Sequence, residues 1–118
     1  MVAGLRLTRG GVYLARLDPA KGAEVGKLRP VVVLTDATLL QIQPAHVFIC
    51  PLSSRSEPAY EALHLALSAR DNLRTNSFAL VEHCRAVSVG RLLNERLAQL
   101  DSVEVNEIAR RLQRMIGL

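Results

Sequence analysis

The chain has 118 residues, of which 49% are hydrophobic and 22% charged, a formal charge of +4 and a mean hydropathy of +0.17. That length holds one domain, read as spanning residues 1–118, with a core that a dimer interface would enlarge, and the composition excludes a disordered chain. No apolar run approaches the roughly 18 residues of a membrane helix and no charged n-region leads into a long apolar stretch, so no membrane association is expected and the protein is placed in the cytoplasm.

The positive balance favours polyanions such as RNA, or acidic protein segments. Cys50 and Cys84 are the two cysteines. Neither sits in a CxxC or Cys/His ligand spacing, which reads as two buried thiols in a reducing compartment and as no metal site.

Gly10-Gly11 leads into Val12-Tyr13-Leu14-Ala15-Arg16-Leu17, a short β-rich run stopped by Asp18-Pro19. Ala20 to Lys27, with Gly22 and Gly26 among Lys21, Glu24 and Lys27, reads as a polar hairpin loop. Pro30 forces Arg29 into an extended conformation at the mouth of Val31-Val32-Val33-Leu34, a continuous run suited to a strand buried on both faces.

After a loose segment from Thr35 to Pro44, His46 to Leu52 is a third strand, whose Pro51 points to a bulge or an unpaired edge. Ser53 to Glu61 is a second exposed loop. Leu63, Leu65 and Leu67 alternate with His64 and Ala66 as in a half-buried strand, with helix as the alternative. Ser77 to Val81 and Arg85 to Val89 bring the count to five or six short strands, enough for a small barrel or curled sheet.

Beyond Gly90 the period changes. Leu92, Leu93 and Leu97 suggest a short helix, and Asp101 caps a longer one with Glu104 three residues on and Val105, Ile108, Leu112, Met115 and Ile116 on one face. The fold class is therefore mainly β with α, and no βαβ alternation or repeat is present.

Three blocks carry a family resemblance. The first is Arg9-Gly10-Gly11-Val12-Tyr13-Leu14-Ala15-Arg16-Leu17-Asp18-Pro19, running on through Gly22-Ala23-Glu24 to Lys27-Leu28-Arg29-Pro30-Val31-Val32-Val33. The second is Ile49-Cys50-Pro51-Leu52-Ser53-Ser54, and the third is Val81-Glu82-His83-Cys84-Arg85-Ala86-Val87 followed by Gly90-Arg91-Leu92. In this order, from Arg9 to the C-terminus, they resemble the MazF/PemK family of toxin endoribonucleases. Gly11 stands where the family has an acidic residue, Val25 where it commonly has Gln, and His83 where it has Gln, which leaves substrate preference open.

The resemblance implies an SH3-like barrel with a C-terminal helix, a homodimer, and a cognate antitoxin that presents an acidic extended segment to the cleft. It also implies a sequence-specific endoribonuclease for single-stranded RNA that needs no metal or other cofactor. Such cleavage uses the ribose 2′-OH as nucleophile, which requires a proton acceptor, stabilisation of the charged phosphorane and a proton donor for the 5′-oxygen.

The resemblance makes Arg29 and Ser53 the catalytic pair. Arg29 offers a forked, always charged donor for phosphate oxygens, and Ser53, in place of the family's Thr, offers a hydroxyl donor. On residue type alone, a loop serine is a solvated hydroxyl and an arginine before proline a surface or ion-pairing residue. Glu24 is a candidate to orient the guanidinium or accept a proton, with an exposed carboxylate as the plain alternative.

Lys21, Lys27, Arg55 and Arg85, in or beside the loops and the third block, are candidate phosphate contacts, and His83 a candidate RNA contact from its family position. His46 and His64 read as surface or hydrogen-bonded structural residues. With four aromatic side chains in all, only Tyr60 in its loop is placed to stack on a base. Two other readings remain: a CcdB-like toxin that binds DNA gyrase, and an SH3-like RNA- or peptide-binding module without chemistry.

Overall fold

Gly10 turns the chain into its first strand at φ +86°, where a Cβ would lie 2.8 Å from both Gln99 Nε2 and Val105 Cγ2, so the position admits only glycine. From there β1 (Gly11–Arg16) pairs antiparallel with β2 (Leu28–Val33), and β2 with β3 (His46–Ser53), in the computed structural model, which describes residues 6–18, 21–23 and 26–118. The remaining strands are β4 (His64–Leu67), β5 (Ser77–Leu80), β6 (Arg85–Ser88) and β7 (Leu92–Gln99). The sheet runs in the order β4-β5-β3-β2-β1-β7, with β6 pairing the first half of β3.

β3 is thus the hub. His46 to Ile49 pair with β6, and Leu52 and Ser53 pair with β5. Pro51, which has no N–H to give, lies where the partner changes, as the sequence suggested. The sheet curls without closing: among the described residues its outer strands β4 and β7 do not pair. No helix of the described residues is long and apolar enough to cross a membrane.

The run Val31-Val32-Val33 is buried on both faces because the sheet carries a core on each side. Val12, Val32, Cys50, Leu52, Ala79 and Ala98 pack against Val105 and Ile108 of the C-terminal helix α2 (Ser102–Met115). Tyr13, Ala15, Val31, Val33, Val47, Ile49 and Val87 fill the concave side, where Leu7 and Leu40 close over them. Tyr13 is fully buried, and its hydroxyl donates to the Arg6 carbonyl and accepts from the Thr8 N–H.

Two expectations need correction. The segment Leu92 to Leu97 is strand β7, not helix, and it makes seven strands where five or six were expected. Its register against β1 slips twice, between Val12 and Tyr13 and between Tyr13 and Ala15. Bulges break the two-residue alternation, and the apolar spacing that remains imitates a helical one. Conversely, the segment from Thr35 to Pro44 contains a short helix, α1 (Ala37–Gln41), capped by the Asp36 carboxylate on Thr38 N, and the loop after β3 holds a 3-10 segment, Pro58–Leu63.

Helix α2 starts as its sequence requires, with a reciprocal capping box: Asp101 accepts from Glu104 N at 2.8 Å and Glu104 accepts from Asp101 N at 3.1 Å. Its expected apolar face is only half used. Val105 and Ile108 are buried, whereas Met115 and Ile116 project beyond the sheet and are exposed.

Arg70, in the loop after β4, clamps the first turn of α2 through a two-pronged bond to Glu104 at 2.6 and 2.7 Å. Arg70's hydrogen bonds, ahead of that from the Asp101 N–H, hold the Glu104 carboxyl below its usual range against partial desolvation. A depressed folded-state pKa stabilises the protein above the unfolded carboxylate pKa, and that share is lost as pH falls through the folded value. Arg70→Gln is therefore expected to lower the melting temperature at pH 7 and to converge on wild type in acid; a gap that stays constant with pH would contradict this linkage.

Candidate active site

The β2–β3 ladder ends at the pair Val31–Pro51, and Arg29 and Ser53 each lie two residues beyond it on their own strands. Arg29 also faces Ala15 on β1, and Ser53 faces Phe78 on β5, which in turn faces Ala66 on β4. Ser53, Phe78 and Ala66 thus form one row, and Arg29 and Ala15 pair at the same end of the sheet.

Both side chains are half-buried and locally aimed. Arg29 Nε donates to the Gly26 carbonyl at 3.0 Å, which spends the inner nitrogen on the loop and leaves the outer fork of the guanidinium without a hydrogen bond among the described residues. Ser53 Oγ accepts the Arg55 N–H at 3.1 Å. With its acceptor side so occupied, the hydroxyl hydrogen is available to a phosphate oxygen.

Lys27 sits two residues before Arg29 with φ +65°, its N–H on Asp18 Oδ1 at 2.7 Å and its carbonyl accepting from Leu17 N. Arg91 ties the same loop by donating to the carbonyls of Arg16 and Asp18. Lys21, Lys27 and Arg55 are exposed around this end of the sheet. Glu24 and Val25 lie outside the described residues.

The third block is set back from the row. Arg85 shares the face but stands opposite Ile49, four residues or about 13 Å along β3 from Ser53, and His83 lies in the 3-10 turn Val81–His83 just before it. Arg85 and His83 therefore do not join Arg29 and Ser53 and lie nearer the middle of the sheet. His46, at the far end of β3, is exposed. A separate cavity of about 680 Å³, lined in part by Arg9, Leu40, Gln41 and Val89, contains neither Arg29 nor Ser53. Among the described residues no three His, Cys, Asp or Glu side chains gather as metal ligands.

Sequence reasoning missed two features. Phe78 puts a half-buried aromatic ring in the row beside Ser53, where only Tyr60 was considered for stacking. His64 is buried, with a side chain 1% exposed, and joins two polar groups: Nδ1 lies 2.8 Å from Ser56 Oγ, and Nε2 lies 2.8 Å from both oxygens of Glu82. Only the alternation of His64 with leucines hinted at an inward-facing polar residue.

The class is a small, mainly antiparallel β protein with a C-terminal helix, whose basic sheet end carries an arginine fork and a hydroxyl, groups of the kind that bind phosphate. Residues 8–116 match the model of a family described as PemK-like, MazF-like toxin of type II toxin-antitoxin system, and the chain belongs to that family. It is 30% identical over 113 residues to the endoribonuclease MazF of Staphylococcus saprophyticus, covering 95% of this chain and 92% of that protein. Its fold matches MazF from Deinococcus radiodurans with a TM-score of 0.79 at 23% identity over 95% of this chain and 97% of that one. A MazE–MazF structure from the same organism matches with a TM-score of 0.73 at 23% identity over 96% and 97% of the two chains.

Proposed function

We propose that this chain is the toxin of a type II toxin–antitoxin pair, an endoribonuclease that cuts single-stranded RNA at a short sequence. What supports the reading is the placement of Arg29 and Ser53 on adjacent strands, each two residues beyond the last pair of the β2–β3 ladder, joined to the S. saprophyticus relative's description as an endoribonuclease. The ribose 2′-OH attacks the adjacent phosphorus, the P–O5′ bond breaks, and the products carry a 2′,3′-cyclic phosphate and a 5′-OH. Arg29 binds two nonbridging oxygens through its fork while Ser53 donates to one of them, and both bonds strengthen as negative charge builds on the phosphorane.

No step asks a metal to supply the nucleophile. Glu24, five residues before Arg29 in the sequence, is assigned either to orient the guanidinium or to accept a proton. Lys21, Lys27 and Arg55 hold the flanking phosphates, and Arg85 and His83 meet the strand further along the face. The protein works as a homodimer, and an antitoxin segment of acidic and apolar residues occupies the basic cleft and excludes RNA; the matching D. radiodurans structures of MazE with MazF support an antitoxin partner.

The test is to incubate the purified chain with a long unstructured RNA in EDTA and map the new ends. Cyclic phosphate and 5′-OH ends, abolished by a single 2′-deoxy substitution at the cut, are the expected result. RNA left intact by folded protein would refute the reading and favour a protein target such as gyrase.

A further inference from the structure

The mechanism above leaves one role without a described residue: something must take the proton of the 2′-OH, and a guanidinium does not give up its own at working pH to become a base. Ser56, His64 and Glu82 supply an uninterrupted hydrogen-bonded chain, with contacts of 2.8 Å at each link. A carboxylate only accepts, so Nε2 of His64 carries the hydrogen given to Glu82, and the Nδ1 lone pair accepts the Ser56 hydroxyl. The imidazole is sealed at 1% exposure and Glu82 is nearly so at 12%, which leaves Ser56 as the open end of the chain.

That end lies three residues past Ser53. The register also places the chain on the same face. Ser53 stands opposite Phe78 and Phe78 opposite Ala66, and His64 lies two residues before Ala66 on β4, so His64 belongs to the row next to that of Ser53.

We propose that Ser56, His64 and Glu82 form a proton relay that serves the Arg29–Ser53 cleft, with Ser56 as the catalytic group that touches the 2′-OH. The inference rests on the nuclease reading. The 2′-OH proton passes to Ser56 Oγ as the Ser56 proton passes to Nδ1, and the freed oxygen lone pair forms the bond to phosphorus. The P–O5′ bond breaks, its electron pair stays on the 5′-oxygen, and that oxygen takes a proton from water. The imidazolium then returns its proton to solvent through Ser56.

Glu82 steadies the imidazolium from the turn before β6. From α2, Arg111 faces His64 only through the backbone, donating to the carbonyls of Ala62 and His64, and Glu107 balances its charge. His64 and Glu82 act through Ser56 and are positioning residues.

The experiment is a single-turnover pH–rate profile on a short RNA containing the mapped cut site, with wild type, Ser56→Ala, Ser56→Thr, His64→Gln and Glu82→Gln, each checked for folding by circular dichroism. Wild type is expected to gain rate as pH rises and the relay loses its proton. Ser56→Ala and His64→Gln are expected to lose about 100-fold or more at the plateau together with that acidic limb, and Ser56→Thr to keep both. Ser56→Ala leaves the buried His64–Glu82 pair intact, so it decides the matter if His64→Gln fails to fold. Folded variants that keep the limb at a uniformly lower rate would overturn the relay and leave the nuclease standing. Wild type that cuts no RNA would overturn both.

Discussion

Arg29→Ala is expected to slow RNA cleavage by about 100- to 1,000-fold with the fold unchanged, the loss typical of deleting one preorganised donor to a developing oxyanion. The position explains the size. Arg29 sits at the outer end of β2, where its Nε bond to Gly26 aims the fork, and Ser53 lies on the adjacent strand, equally far beyond the last β2–β3 pair. Truncation leaves the buried run Val31-Val32-Val33 untouched, so melting should shift little. Arg29→Lys keeps the charge but loses the two-pronged geometry, and should recover only part of the rate. A single-turnover assay at saturating enzyme measures this directly, and an alanine variant within about threefold of wild type would remove Arg29 from the mechanism.

The largest stability effect is expected at Ile108. It is fully buried in α2, against the sheet face formed by Val32, Cys50 and Leu52. Ile108→Ala removes three buried carbons and leaves a cavity that the sheet cannot close, at a cost of about 3 kcal/mol, or roughly 10 °C in melting temperature for a domain of this size. Met115→Ala is the internal control, because Met115 was expected on the same apolar face but is 43% exposed. It should melt close to wild type. If the two variants melted alike, the helix would not be packed by its Val105–Ile108 turn.

Much of the fold was legible because local chemistry leaves local marks. The β-branched run at Val31 announced a strand buried on both faces, and the Asp101–Glu104 spacing announced the start of α2. Pro51 marked the point where β3 changes partner. The strand β7 was not legible, since two bulges against β1 erase the alternation that a strand reading depends on. Arg29 and Ser53 were singled out through the family pattern rather than through residue type, as an arginine before proline and a serine at a strand end are common in any sequence. The exposure of Met115 and Ile116 was equally hidden, for a helical stripe does not say where the sheet beneath it ends.

By itself, then, the sequence determined the elements whose signals are contained within a few residues: the strand cores, the capped terminal helix, the glycine at position 10 and the net positive charge. Only the tertiary structure decided which side chains meet. The placement of Arg29 and Ser53 at neighbouring strand ends and the chain from Ser56 through His64 to Glu82 depend on how far each strand slides along its neighbour. Periodicity fixes the face on which a side chain lies, whereas register fixes its partner, and register is set jointly by every pair of strands in the sheet.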